Sequence, residues 1–186
     1  MIWEGAIDRT EFWFDVRQDV LIAGYHGTDQ ASVTRSKTNG FSPSQKPRDW
    51  LGHGVYFWTD HHLAWYWARK YYGKSAAVLR ATLLLGYCVD LDNVDRFANV
   101  IRNTLKRLQS ESIRNLGGMP QHQGDEHCLD CLVLNHVCKS TVPEVDSLMM
   151  TFSRGTPVCD GTQLRDQTHK QICVSHCPEC VHEGRP

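Results

Sequence analysis

Short apolar runs that end in turn residues recur along the chain and predict strands. They cover residues 19–25, 54–58, 76–88, 147–152 and 170–175. The longest run, 76–88, predicts a central strand that breaks near Gly86. Two stretches rich in proline and polar residues, 41–51 and 153–168, predict loops.

Apolar residues at helical spacing predict helices over residues 61–72, 95–116 and 128–138. Thr59 or Asp60 is a suitable N-cap for the first of these. Residues 10–18 predict a short helix, and residues 32–40 predict a helical turn. Because these elements mix without a regular βαβ order, the expected fold class is α+β.

The bulk composition is that of a globular protein. The chain has 186 residues, of which 41% are hydrophobic and 22% charged, with a formal net charge of -1. This length favours one domain spanning residues 1–186. No apolar run approaches the roughly 20 residues of a membrane span, and the N-terminus lacks the pattern of a secretory signal. We therefore expect a cytoplasmic protein with reduced thiols and no membrane partner.

Three short segments have the residue types of a ligand site. They are YHGT at 25–28, LGHGVYFW at 51–58 and THKQICV at 168–174. The glycine after His26 lets a ligand approach the backbone closely. Taken singly, each segment is also a common turn or strand pattern, and only their combination and order are specific.

In that order the three segments resemble the ADP-ribosyltransferases of the poly(ADP-ribose) polymerase and diphtheria-toxin type, over residues 25–174. The order is also similar to that of small, toxin-like bacterial proteins of this fold. The resemblance implies two small packed sheets, mixed or antiparallel, which form an NAD cleft with flanking helices. The cleft-bearing core would span about residues 19–176, with a short tail at 177–186.

The resemblance implies a role for each residue of the first segment. His26 would hydrogen-bond the ribose next to nicotinamide. The backbone of Gly27 would hold the nicotinamide carboxamide through its N–H and C=O groups. Thr28 would support the same loop.

Aromatic residues would enclose the nicotinamide ring. The resemblance implies that Tyr56 stacks on one face of the ring and that an aromatic residue eleven positions later, Trp67, closes the other, with Tyr66 beside it. A cationic ring is attracted to such π-faces. Trp67 equally suits the core side of an amphipathic helix, and His53 either touches adenosine or caps its turn.

The third segment departs from the family pattern, because Gln171 stands where strong polymerases carry glutamate. Glutamine still hydrogen-bonds a ribose hydroxyl but brings no charge. The loss amounts to about 1–3 kcal/mol of transition-state stabilisation, which favours single transfer or a slow or inactive enzyme. His169 suits a general base for the acceptor, or else a solvated histidine at a strand edge.

The expected function is mono-ADP-ribosylation: transfer of ADP-ribose from NAD, as substrate, to a protein or nucleic acid, with release of nicotinamide. Arg154 and Arg165 would contact pyrophosphate or a nucleic-acid acceptor, or simply be solvated. An antitoxin or regulatory protein is a further expected partner. The alternatives are an inactive NAD- or ADP-ribose-binding module and an RNA 2'-phosphotransferase, although Tyr56 replaces a histidine of the latter enzymes.

The cysteines suggest a fourth interpretation. Two C-x-x-C pairs, Cys128 with Cys131 and Cys177 with Cys180, have a spacing typical of zinc ligands. Bound zinc would make the chain a zinc-stabilised interaction protein, or would fasten the tail to a helix of the transferase. The first pair lies in an apolar helical stretch, where cysteines are commonly buried small residues.

Overall fold

A computed structural model of the chain describes residues 18–114, 127–141, 143–157, 159, 165–175 and 181–183. The strands in this part are β1 (Gln18–Asp29), β2 (Val55–Trp58), β3 (Ala76–Gly86), β4 (Cys88–Asp90), β5 (Ser147–Pro157), β6 (Arg165–Val174) and β7 (Val181–Glu183). The helices are α1 (Gln30–Asn39), α2 (His61–Tyr72), α3 (Val94–Arg114) and α4 (Cys128–Ser140). The mixed α+β class is therefore confirmed.

The described strands form one mixed sheet, in the order β4-β5-β6-β2-β1-β3-β7. The expectation of two small packed sheets is wrong for this part of the chain, because β2 pairs with β6 on one side and with β1 on the other. The β1–β2 pairing is nevertheless short. It has a single register pair, Tyr25 with Trp58, whereas β1 and β3 pair along almost their whole length. We call this short junction the β1–β2 seam.

The sheet carries apolar clusters on both faces, and β2 contributes to each. On the first face, Tyr56 packs against a buried cluster that includes Leu134 of α4 and Cys173 of β6. On the second face, Phe57 and Ile172 are fully buried. Successive residues of a strand point to opposite faces, so Tyr56 packs against the first cluster while Val55 and Phe57 belong to the second.

Local signals in the sequence explain where α2 begins and ends. The carboxylate of Asp60 accepts hydrogen bonds from the backbone N–H groups of His62 and Leu63, which makes it the N-cap. Gly73 follows the last residue with a φ of 56°, a conformation that glycine adopts without strain. The predicted helix over 61–72 is confirmed.

Other element boundaries in the structure differ from those predicted. The loop predicted over 153–168 is wrong at both ends, because β5 and β6 continue their antiparallel pairing through Ser153 with Thr168 and beyond. Polar residues on both sides of this hairpin hide the alternation of a strand. The tail contains β7, which pairs with β3 and was not predicted. The helix predicted over 10–18 lies outside the described residues, apart from Gln18, which begins β1.

Candidate functional site

The three segments singled out in the sequence lie on three adjacent strands. The first is on β1, the second on β2 and the third on β6, in the spatial order β6-β2-β1. Trp58 of β2 pairs with Tyr25 on one side and with Gln171 on the other. Segments more than a hundred residues apart in sequence therefore meet at the centre of the sheet.

The turn before β2 is held in place by two side chains. Tyr56 accepts a hydrogen bond from the backbone N–H of Leu51 and donates one to the carbonyl of Gly52, each at 2.7 Å. The side chain of Asn135 on α4 accepts from the backbone N–H of His53 at 2.6 Å. Gly52 has a φ of 78°, and a Cβ there would lie 2.7 Å from Asn135 Oδ1. Residues 51–53 of this turn are thus fixed against both β2 and α4.

The ring of Tyr56 is half-buried on the first face. Burial raises the pKa of its hydroxyl well above the ordinary value, so the group stays protonated and can donate its hydrogen bond. Tyr25 and Trp58 pair and therefore share this face. Gly27 lies on it too, since Gly27 is two positions after Tyr25 and Tyr56 is two positions before Trp58.

Helix α2 lies directly against Gly27. A Cβ at this position would meet the carbonyl oxygen of Ala64 at 2.6 Å and the ring of Trp67 at 3.3 Å. Trp67 is half-buried, and its ring contacts that of Tyr71. Tyr66 is 59% exposed, so Trp67 is the aromatic residue of this pair that faces the β1 backbone.

His26 lies in the β1–β2 seam. Its Nδ1 donates a hydrogen bond to the backbone carbonyl of Tyr56 at 2.8 Å, and its ring contacts Phe41 and Phe57 on the second face. His26 and Tyr56 are therefore joined through the backbone of Tyr56, while their rings lie on opposite faces. Thr28, two residues on, is buried opposite Ala77 of β3.

Burial lowers the pKa of His26, and the hydrogen bond to the Tyr56 carbonyl offsets this only in part. The ring is therefore neutral near pH 7. With the proton on Nδ1, the lone pair lies on Nε2, which can accept a hydrogen bond from a hydroxyl.

Gln171 and His169 form a buried pair on β6, each only 8% exposed. The side-chain amide of Gln171 donates to Nε2 of His169 at 3.2 Å. Because His169 is buried, the interpretation of it as a solvated histidine at a strand edge is wrong.

Aromatic rings surround His169 on the first face. Its ring centre lies 4.6 Å from that of Trp58 and 5.7 Å from that of Phe152, which stacks on it. Trp50 packs against Phe152 at 4.7 Å and against His127 at 5.0 Å. Sequence analysis did not identify these aromatic residues as part of a site. The alternation of Tyr56 with Trp58 along β2 was the available signal.

A network of charged groups lies on the other face of β6. Lys170 binds the carboxylates of Asp90 at 3.1 Å and Asp92 at 2.9 Å, and Asp92 also accepts from the hydroxyl of Thr151. Burial alone would lower the pKa of Lys170, but the hydrogen bonds and charges of the two carboxylates outweigh it and raise the pKa. Because residues 170 and 171 point to opposite faces, this network does not supply Gln171 with a negative charge.

The remaining candidate residues are placed as follows. Arg154 lies in β5 and Arg165 begins β6, so neither belongs to a loop as predicted.

Cys131 on α4 is 2% exposed, and burial raises the pKa of its thiol. Its partner in the C-x-x-C pair, Cys128, is half-buried on the same helix, whereas the second pair, 177 and 180, lies outside the described residues. The described residues contain no group of three or more metal-ligating side chains. Zinc binding stays a prediction.

Comparison of the chain with known protein families and with curated proteins finds no match. Within the described ranges, no helix is long and apolar enough to cross a membrane. The chemistry of the site is therefore inferred from its own residues.

Proposed function

We propose that this protein is a mono-ADP-ribosyltransferase. It would cleave the bond between nicotinamide and ribose in NAD and transfer the ADP-ribose to a protein or nucleic acid. The main support is the adjacency of the three segments on β1, β2 and β6, with Gly27, Tyr56 and Gln171 on one face of the sheet. The resemblance implies that these three segments border one NAD site, and their adjacency is consistent with that.

The nicotinamide ring would lie between Tyr56 and Trp67. Oxidised nicotinamide is a planar cation, which is attracted to aromatic faces. The backbone of Gly27, over which Trp67 lies, would hold the carboxamide. Since β1 and β2 pair only at Tyr25 with Trp58, the backbone beyond that pair is not held in a β1–β2 ladder.

His26 would accept a hydrogen bond from a ribose hydroxyl at Nε2. Its neutral state suits this role, and the bond from Nδ1 to the Tyr56 carbonyl fixes the ring. Because the rings of His26 and Tyr56 lie on opposite faces, a nicotinamide riboside contacts both only if it enters the β1–β2 seam. Occupation of the seam is thus a specific requirement of the proposal.

Gln171 would bind the ribose through its amide oxygen, since the amide nitrogen is directed to His169. An uncharged group stabilises the developing positive charge on the sugar less than a carboxylate does, which favours slow, single transfer. The lone pair of His169 Nε2 is engaged by Gln171. His169 acts as a base for the acceptor only when the Gln171 amide turns away from it.

A second candidate function is an NAD-binding module without transferase activity. It is favoured by Gln171, which stands in the position of the family's glutamate. Its side chain is neutral, buried and hydrogen-bonded to His169. Such a module would bind NAD without releasing nicotinamide.

The test is to incubate the purified full chain with NAD and to measure nicotinamide release. The proposal expects release that His26→Ala and Tyr56→Leu each reduce by about tenfold or more, the effect of losing one good hydrogen bond or stacking contact. Lys106→Gln, an exposed substitution on α3, is the control and should release nicotinamide at the rate of the unsubstituted chain.

NAD binding without release supports the binding module and contradicts the transferase. Release that His26→Ala and Tyr56→Leu leave unchanged contradicts the proposed site. A cell extract labelled with NAD, and then digested separately with protease and with nuclease, identifies the acceptor as protein or nucleic acid.

A further inference from the structure

The outward-facing side of α2 carries large aromatic residues beside cations. Trp65 is 42% exposed and Tyr66 is 59% exposed. The guanidinium of Arg69 lies 5.9 Å above the ring of Trp65, and both Arg69 and its neighbour Lys70 are exposed. We call these four residues the α2 outer face.

The inner side of the same helix is occupied by contacts with the sheet. Ala64 and Ala68 are fully buried, and Trp67 lies against Gly27. The rings of Trp65 and Tyr66 therefore do not belong to the core. Exposed Trp and Tyr side chains grouped in this way are typical of binding surfaces.

The sequence of α2 and of the residues that follow it carries charges of one sign. No aspartate or glutamate occurs between Asp60 and Asp90, whereas this stretch contains four cations, Arg69, Lys70, Lys74 and Arg80. The whole chain has a net charge of -1, so the positive charge is a local property of this surface. A polyanion complements it.

We infer that the α2 outer face binds single-stranded nucleic acid. Unpaired bases stack on aromatic rings whatever their sequence, while arginine and lysine hold the phosphates. Trp65 and Tyr66 supply two rings, and Arg69 and Lys70 supply two cations on the same helix surface. A duplex offers the phosphates but keeps its bases stacked within the helix.

A lipid surface fits these residues less well. Helices that lie in a membrane interface bury a continuous apolar face that includes aliphatic residues. The large aliphatic residue of α2 is Leu63, which is half-buried, and the exposed rings are interrupted by Arg69 and Lys70.

This surface also bears on the acceptor of the proposed transferase. A nucleic acid on the α2 outer face would lie on the helix whose inner side contacts Gly27, and would thus be close to the proposed NAD site. That step rests on the proposed function. Binding of the nucleic acid itself does not, and it is measured without NAD.

The test measures fluorescence anisotropy of labelled single-stranded oligonucleotides of mixed sequence, about 12 nucleotides long, with the full chain. The double variant Trp65→Leu/Tyr66→Leu should raise Kd about tenfold or more, because stacking is lost. Trp65→Phe/Tyr66→Phe keeps both rings and should bind within about threefold of the unsubstituted chain.

The contribution of Arg69 and Lys70 is tested through the salt dependence of oligonucleotide binding. Arg69→Gln/Lys70→Gln should reduce the slope of log K against log salt by about 1.4, which corresponds to two lost phosphate contacts on a single strand. The matched control is Arg102→Gln/Lys106→Gln, which removes two exposed charges from α3 and should leave this slope unchanged.

The inference is overturned if the chain does not bind single strands at low salt, if a duplex binds as tightly, or if the control weakens binding as much as the α2 variants. Binding to phosphatidylserine vesicles that depends on Trp65 and Tyr66, without binding to oligonucleotides, also overturns it. DNA and RNA oligonucleotides are tested separately, and binding of either supports the inference. If the chain binds oligonucleotides but releases no nicotinamide, the nucleic-acid-binding role of the α2 outer face is supported and the proposed transferase activity is refuted.

Discussion

Replacing Tyr56 by phenylalanine removes a single oxygen atom that makes two hydrogen bonds. The hydroxyl bonds to the N–H of Leu51 and to the carbonyl of Gly52, both at 2.7 Å and partly shielded from water. A net contribution of about 0.5–1.5 kcal/mol for each bond gives a loss of about 1–3 kcal/mol in the free energy of unfolding. For a chain of this size, that loss lowers Tm by about 2–12 °C.

Thermal unfolding followed by circular dichroism measures this change. Tyr71→Phe is the matched control, because it removes the same atom from a side chain that is 61% exposed and should leave Tm within about 1 °C. An unchanged Tm in Tyr56→Phe would refute the conclusion that the hydroxyl stabilises the turn before β2.

The same variant separates the support of the turn from ring stacking. Phenylalanine keeps the aromatic face that would contact nicotinamide, so Tyr56→Phe should retain NAD binding that Tyr56→Leu loses. Equal loss of NAD binding in both folded variants would contradict a stacking role for the ring.

Three further predictions concern neighbouring residues. Gly27→Ala should destabilise the chain or displace α2, since its Cβ would lie 3.3 Å from Trp67 and closer still to the helix backbone; loss of Tm measures this. Burial lowers the pKa of His26 below 6.5, so the unfolded chain binds a proton more readily than the folded chain. The free energy of unfolding should therefore fall as the pH drops below about 6.5, and it should fall less in His26→Gln. Urea unfolding at several pH values measures this difference. Gln171→Glu should raise the rate of nicotinamide release about 10- to 100-fold, if a charge at this position stabilises the sugar cation.

The elements that could be predicted from sequence are those set by local signals. Helix α2 has its N-cap at Asp60, glycine at its C-terminal end and small apolar residues on one side, and its predicted bounds are confirmed. Strand β3 is largely apolar, and its predicted break occurs at Gly86, whose φ is 60°. In each case the residues that define the element lie within it or directly beside it.

Features that depend on pairing between distant segments could not be predicted. The single sheet results from β2 pairing on both sides, and nothing within the four residues of β2 specifies those partners. The rings around His169 come from three separate segments: Trp50 from a loop, Trp58 from β2 and Phe152 from β5. Phe152 reaches His169 because the two residues pair across β5 and β6. The order of the three segments identified the strands of the site, whereas the contacts of His169 required the register.

Strand β2 connects these observations, because a single residue on it serves three purposes. The hydroxyl of Tyr56 holds the preceding turn, its carbonyl holds His26, and its ring lies on the face that contains Gly27. Deleting the whole side chain therefore disturbs the turn and the proposed nicotinamide contact together, and a loss of activity would not say which one matters. The carbonyl bond to His26 belongs to the backbone and survives any side-chain substitution at this position. The position of His26 should thus persist in Tyr56→Phe, and any change in its NMR-measured pKa in that variant would report movement of the turn transmitted along β2.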